Sequence, residues 1–158
     1  MTKTLNFKVK GQNIYLENPE DRLVAGSIGY LKAHFTFDND WQYVDFKGIT
    51  HPLTIKILYS CRGKTYEENF NSYFLGENLI PAKALISPGF SVCCYGEYVD
   101  EDGIVRKRLP TETIDILLKP SGPISGNLIA DSQTKADAFA LAERAMEEIQ
   151  LIKEHLNI

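Results

Sequence analysis

The residue types that usually carry out chemistry are few in this sequence and lie far apart. Three histidines and three cysteines are present, namely His34, His51, His155, Cys61, Cys93 and Cys94. No two histidines have the spacing of metal ligands, and none pairs locally with a cysteine. The adjacent Cys93 and Cys94 have no neighbouring cation in sequence that would activate a thiol. We therefore expect no metal centre, and we expect reduced, mostly buried thiols in a protein made in a cytoplasm.

The densest group of carboxylates lies in AHFTFDNDWQYVDF, residues 33–46. A calcium-binding EF-hand loop starting at Asp38 would need glycine and glutamate where this chain has Tyr43 and Ile49. Aspartate and asparagine are typical of turns, because their side chains accept hydrogen bonds from nearby backbone N–H groups. We predict a turn between two strands, with Trp41 in the core. Adventitious calcium binding by the first two aspartates is the alternative.

Enzymatic motifs are absent from the sequence. There is no G-x-S-x-G elbow, no P-loop and no G-x-G-x-x-G. A glycosidase needs only two carboxylates that meet in space, but aspartate and glutamate are too common for this to carry weight. We predict a protein that is not an enzyme and that uses no cofactor.

Charge and hydropathy exclude two further classes of partner. The net charge is −4, and the one basic run, Arg106 to Arg108, has no interleaved aromatic residues, so we expect no binding to nucleic acid. No stretch approaches the roughly 18 apolar residues of a membrane span, and the N-terminus carries no run of signal-peptide length. We therefore expect no membrane association.

The first part of the chain has the pattern of a β domain. Apolar and polar residues alternate with period two in YLKAHFTF, LTIKILYS, FSVCCYGEY and ETIDILLK, and turn residues separate these runs. About seven to nine short strands are expected, which favours a β-sandwich. We predict a mainly β fold, an antiparallel sandwich of immunoglobulin-like or jelly-roll-like type over residues 1–119. A Pro/Gly/Ser-rich connector is predicted at residues 120–130.

Residues 131–158 are predicted to form one long amphipathic helix. Its N-cap is Asp131 or Ser132, and a capping box at Thr134 and Asp137 is a third option. Its apolar positions are Phe139, Ala142, Met146, Ile149, Ile152 and Leu156. Their spacing of three, four, three, three and four residues places them in one narrow stripe, called here the helix stripe. Such a stripe must be buried against the sandwich or against the same stripe on other copies. Since the connector lets the helix leave the sandwich, we expect a homo-oligomer, a dimer or a trimer.

Several short motifs occur in a particular order along the chain. HFTFDNDW at 34–41 has the form F-x-F-x-x-x-W; the segment 78–122 then has an I-P, a P-G turn, a strand with Y-G, a D-G hairpin and a T-x-x-x-I strand. In this order they resemble the small β-sandwich domains of tail and baseplate structural proteins from phages and prophages of Gram-positive bacteria. The resemblance covers about residues 30–150. It implies a non-enzymatic structural module, located in the virion, that oligomerises and docks onto other tail or baseplate proteins.

A carbohydrate-binding module is the alternative function. It would recognise host cell-wall sugars through exposed aromatic side chains, with Trp41 and Tyr43 as the first candidates. β-Sandwiches often carry such sites, but the fold alone does not establish the function. Exposure of Trp41 distinguishes the two hypotheses, because a buried indole cannot stack on a sugar ring.

Overall fold

The computed structural model of this protein describes residues 3–18, 23–70, 77–122 and 126–155. Within these residues the chain forms a β domain followed by one long helix, as the sequence predicts. The strands are β1 (Lys3–Lys10), β2 (Asn13–Leu16), β3 (Leu31–Phe37), β4 (Gln42–Val44), β5 (Thr50–Pro52), β6 (Thr54–Cys61), β7 (Lys64–Asn69), β8 (Glu77–Leu79), β9 (Gly89–Val99), β10 (Val105–Pro110) and β11 (Ile114–Leu117). In the described residues, 3₁₀ turns are found at Asn39–Trp41 and Ala82–Ala84, and the helix α1 is Gly126–His155.

The strands make two main sheets and one separate hairpin. One sheet has the order β2-β1-β3-β8, and the other has the order β10-β9-β6-β7 with β11 also paired to β9. Strands β4 and β5 form the hairpin. Most neighbours are antiparallel, but β1 and β3 are parallel, with Phe7 opposite Phe35. A parallel pair needs a longer crossover than a hairpin does, and β2 lies in the segment that connects β1 to β3.

One hydrophobic core lies between the inner faces of both main sheets. The period-two pattern of the sequence predicts which residues of each strand point into it. Alternate residues of β1, β3, β6 and β9 are buried, while the residues between them are partly or fully exposed. The fully buried side chains at its centre are Leu5, Phe7, Val9, Leu31, Ala33, Ile57, Tyr59, Val92 and Cys94. The predicted inward set of β9 is confirmed, because Phe90, Val92 and Cys94 all belong to this core.

The helix begins earlier than predicted. Its first residue is Gly126, which lies inside the segment 120–130 predicted to be a connector, so the predicted start at residue 131 is wrong. Glycine is a poor residue inside a helix but is tolerated at its first position, where the N–H groups have no intrahelical partner. The helix has 30 residues, which corresponds to about 45 Å. The predicted helical residues 156–158 lie outside the described part of the chain.

Candidate functional site: the C-terminal helix

The helix is fixed to the sandwich by a carboxylate that caps a 3₁₀ turn. Asp137 on α1 accepts hydrogen bonds from the backbone N–H groups of Ala82 and Lys83, at 2.5 and 2.8 Å. These N–H groups open the turn Ala82–Ala84, whose own preceding residue is Pro81 and supplies no side-chain cap. Asp137 thus does from a distant element what an N-cap residue usually does locally.

Arg144 makes the second polar anchor, seven residues after Asp137 on the same side of α1. Its guanidinium donates to Glu68 Oε2 at 3.2 Å, to Asn78 Oδ1 at 2.8 Å and to the Asn69 carbonyl at 3.5 Å. Burial raises the pKa of Glu68, and the charge of Arg144 opposes that shift. Asn78 is itself buried. Because the Glu68 carboxylate is largely removed from water, loss of the arginine would leave that buried charge without its main compensation.

A third polar contact lies nearer the start of the helix. Gln133 is fully buried, and its side-chain amide donates to the carbonyl oxygens of Leu85 at 3.3 Å and Ser27 at 3.5 Å. Its Oε1 and the hydroxyl of Ser27 find no hydrogen-bond partner within the part of the chain that the structure describes. The contact therefore holds the helix in place without satisfying every buried polar atom.

The helix stripe points away from these anchors. Gln133, Asp137 and Arg144 are separated by four and seven residues and so share one side of a helix that turns about 100° per residue. Phe139 is 68% exposed and Met146 is 72% exposed. The other described members, Ala142, Ile149 and Ile152, are also exposed, whereas Leu156 lies outside the described residues. A set of large apolar side chains is thus left uncovered by the chain's own sandwich.

Sequence reasoning predicted the helix stripe but missed the anchors. Asp137 and Arg144 look like ordinary solvent-facing charges on the polar side of an amphipathic helix. Their partners are backbone N–H groups and side chains more than 50 residues away in sequence. No local spacing signals such contacts, and only the folded chain brings them together.

Trp41 does not have the exposure that a sugar contact needs. Its side chain is 2% exposed, and its Nε1 donates to the Gly11 carbonyl at 3.0 Å. Its ring packs on Phe37, with the ring centroids 5.0 Å apart. The prediction that Trp41 belongs to the core is confirmed, and its alternative assignment as an exposed sugar contact is wrong. The indole is large and apolar with one donor, and the Gly11 carbonyl satisfies that donor.

The predicted turn at the aspartate cluster is also confirmed. Asp38 precedes the 3₁₀ turn Asn39–Trp41, and its Oδ1 accepts from the Asp40 N–H at 3.0 Å. Its Oδ2 accepts from the Gly11 N–H at 3.0 Å. Both carboxylate oxygens therefore organise backbone, which is the usual use of aspartate in turns.

Tyr43 is partly exposed and lies in a stack of rings. Its ring centroid is 5.1 Å from that of Tyr98, and the His51 ring is 4.6 Å from Tyr98. Tyr43 and His51 are cross-strand partners in the β4–β5 hairpin. The stack fixes this hairpin on the edge of the sheet that contains β9, and Lys107 Nζ adds a hydrogen bond of 2.8 Å to the Gln42 carbonyl.

Two hairpin turns share one design that the sequence analysis did not detect. In the β4–β5 turn, Asp45 Oδ1 accepts from the N–H groups two and four residues later, both at 2.9 Å, and its Oδ2 meets His51 Nε2 at 2.9 Å. In the β9–β10 turn, Asp100 Oδ1 accepts from the corresponding two N–H groups at 2.9 Å, and its Oδ2 meets Arg106 Nε at 2.6 Å. The signal in the sequence is D-x-x-G-I followed by a basic residue, at 45–51 and at 100–106.

These bonds lower the pKa of both aspartates. For Asp45, the hydrogen bond with His51 is the largest cause. For Asp100, the largest cause is the backbone hydrogen bond from Ile104, followed by the side chain of Arg106. In each turn the glycine at the fourth position has a positive φ, +81° at Gly48 and +79° at Gly103, which glycine adopts without steric cost. The two turns are therefore the same rigid unit used twice.

The candidate chemical residues stay apart in the fold. Within the described part of the chain, no three histidine, cysteine, aspartate or glutamate side chains come together as a metal site would require. Cys61 and Cys94 are buried and Cys93 is half-buried, all as free thiols. Burial raises the pKa of both Cys93 and Cys94, which keeps these thiols protonated and unreactive.

Comparisons with known proteins place no constraint on these surfaces. No protein-family model matches the chain, and no curated protein is significantly similar to it. In the described residues, no helix combines the length and the apolar character needed to cross a membrane.

Proposed function

We propose that this chain is a structural protein of a phage virion, a tail or baseplate assembly module that self-associates through its C-terminal helix. One observation carries the proposal. The helix is fixed to its own sandwich by polar contacts on one side, while the helix stripe on another side is exposed to solvent. Monomeric proteins seldom expose several adjacent large apolar side chains, and such a surface marks an interaction site.

The spacing of the helix stripe suits association of parallel or antiparallel helices. Its steps average about 3.4 residues, close to the 3.5-residue repeat of a coiled coil. Full burial of one such large side chain is worth about 1.5–3 kcal/mol. Several of them on each of two or three copies would offset the entropy lost on association. A dimer or a trimer therefore accounts for the surface, and the anchors give each copy the same helix orientation.

The placement in a virion rests on the resemblance of the β domain to tail and baseplate modules. The segments that carry this resemblance, 34–41 and 78–122, form β3, the 3₁₀ turns, β9, β10 and β11 in the folded chain. They lie in the body of the sandwich, away from the helix stripe. The partners proposed for this body are other tail or baseplate proteins.

Purified phage particles provide the test. Tail or baseplate fractions from cells that carry the gene should contain the chain, as detected by mass spectrometry. A version with Met146→Asp and Ile149→Asp should be made in normal amount but be missing from the particles, because charges on the helix stripe prevent association. Absence of the wild-type chain from purified particles contradicts the virion assignment. Normal incorporation of the double variant contradicts assembly through the helix.

The carbohydrate-binding alternative is weakened by the burial of Trp41. Tyr43 remains partly exposed, but its ring packs against Tyr98 within the chain. A sugar would therefore meet at most the outer side of this stack. We retain the structural role as the proposal, because the helix stripe has no counterpart in the sugar-binding hypothesis.

A further inference from the structure

Comparison of the two D-x-x-G-I turns shows whether the fold requires Phe46, which lies at the centre of the first turn. Both present an exposed valine before the aspartate, Val44 and Val99, and an exposed isoleucine after the glycine. They differ at the two central positions, which are Phe46 and Lys47 in one turn and Glu101 and Asp102 in the other. The second turn shows that the same backbone forms with acidic residues at these positions.

Phe46 is therefore not needed to build its turn. Its side chain is 94% exposed, more than any other large apolar side chain in the described residues. The ammonium group of Lys47 lies over its ring, 5.6 Å from the centroid. Since Asp45 holds three partners around it, the turn presents an apolar ring and a positive charge on a rigid support.

A complementary cavity lies between β7 and α1, on the side of the helix that carries the anchors. Its volume is about 560 Å³, within the usual range of about 300–1,000 Å³ for ligand pockets. Tyr66, Leu141 and Ala145 supply apolar lining. Leu141 is largely exposed and is not a member of the helix stripe. The charged lining comprises four carboxylates and two cations, and Lys56 beside the cavity pairs with Glu67 at 3.1 Å, so the cavity keeps a small negative balance.

We propose that the Phe46–Lys47 tip of one copy of this chain inserts into the β7–α1 cavity of a second copy. The phenyl ring would cover Leu141 and Ala145, and the ammonium group of Lys47 would meet the excess of carboxylates. The contact joins two different surfaces and is therefore heterologous, so it builds a ring or an open array rather than a closed pair. Its main apolar contact, Leu141, is not a member of the helix stripe, so the contact goes beyond the proposed function and can fail independently of it.

Site-specific photo-crosslinking of the full-length chain tests this contact. A benzophenone-bearing phenylalanine analogue replaces Phe46 in one preparation and Glu101 in the other, since these positions are equivalent in the two turns. We expect position 46 to form crosslinks between chains that map to residues 65–69 or 138–148, and position 101 to form none there. The proposal is overturned if position 46 crosslinks no more than position 101, or if its crosslinks map elsewhere.

Two substitutions, one in the tip and one in the cavity, test the same contact. Phe46→Glu recreates the acidic tip of the second turn and should leave the hairpin folded. We expect it to weaken this contact at least about tenfold in sedimentation equilibrium, because a buried phenylalanine side chain contributes more than one tenfold step in affinity. Leu141→Arg removes the main apolar lining, repels Lys47 and should abolish the crosslinks from position 46. Unchanged association with Phe46→Glu, or unchanged crosslinking with Leu141→Arg, overturns the proposal, and unchanged thermal unfolding of each variant shows that its fold is intact.

Discussion

Gly96 on β9 is a residue at which the core has no room for a side chain. A Cβ atom built on it would lie 2.7 Å from Trp41 Cζ3 and 3.0 Å from Leu53 Cδ1. We expect Gly96→Ala to displace the indole and lower the free energy of unfolding by about 1–3 kcal/mol, the usual cost of overpacking. Urea unfolding followed by tryptophan fluorescence measures the change. Gly122→Ala is the control, because a Cβ atom there meets nothing within 4 Å. Equal stability of the two variants would contradict the close packing of Trp41.

Asp45 makes the stability of the protein depend on pH in a defined direction. Its pKa in the folded protein lies below the ordinary value of 3.8. The carboxylate therefore contributes stability above the unfolded-state pKa, and this contribution is lost as the pH falls through the folded-state value. We expect Asp45→Asn to be less stable than the wild type at pH 7 and to lose less stability on acidification.

Urea titrations at a series of pH values below about 5 measure this dependence. Asp100→Asn is the matched replicate, since Asp100 has the same bonds and its pKa is lowered in the same direction. A wild-type pH dependence in both variants would rule out the shared turn design as its source.

Individual side chains were predictable from the sequence where local rules decide them. Trp41 was placed in the core because a large apolar ring lies between two alternating strands, and the turn at Asp38 followed from its side-chain chemistry. The repeated turn was missed because its first copy, at 45–49, has phenylalanine and lysine at the centre, which do not look like turn residues. The aspartate and the glycine determine the conformation of that turn, and their spacing in the sequence could have predicted it.

At the scale of elements, the anchors of α1 determine where the helix lies. Arg144→Met removes the charge that faces Glu68 and Asn78, and the carboxylate of Glu68 then has to be buried without its partner or be protonated. We expect a loss of about 1–3 kcal/mol in the free energy of unfolding. Hydrogen exchange should speed up in the helix around residues 133–148 while β6 and β9 remain protected.

Arg106→Met provides the control for this prediction. Arg106 also pairs with a carboxylate, at 2.6 Å from Asp100, but nearly half of its side chain is exposed. Exposed ion pairs contribute little, so we expect only a small change. Equal effects of the two substitutions, or unchanged exchange in the helix of Arg144→Met, would show that Arg144 does not fix the helix.

Strands and helix differ in how far the sequence determines them. The strands β3, β6, β9 and β11 were predicted because alternation with period two is imposed by burial of one face. The parallel pairing of β1 with β3 was not predicted, since pairing partners depend on contacts distant in sequence. The start of α1 at Gly126 was also missed, because glycine and proline just before it are the usual signs of a connector.

In the whole molecule, the polar anchors and the helix stripe lie on opposite sides of the long helix α1. The anchors fix α1 to its own domain, and the helix stripe is left for another chain. This separation explains why a helix with apolar positions at coiled-coil spacing is still docked through polar groups. An apolar docking face would compete with the helix stripe for the same partner, whereas a polar one leaves it free.

The mass of the full-length chain in solution tests this account most directly. Light scattering coupled to size exclusion, with Phe46→Glu present throughout to remove the tip contact, should give a discrete dimer or trimer for the chain with the intact helix stripe and a monomer when Met146→Asp and Ile149→Asp are added. The far-ultraviolet circular dichroism and the unfolding transition of the sandwich should be the same in both, because these side chains are exposed in the single chain. Glu147→Lys, a charge change at an exposed position on the side of the same helix away from the helix stripe, should keep the mass of the chain with the intact helix stripe. A monomeric chain with the intact helix stripe, or an unchanged mass when Met146→Asp and Ile149→Asp are added, would contradict assembly through the C-terminal helix.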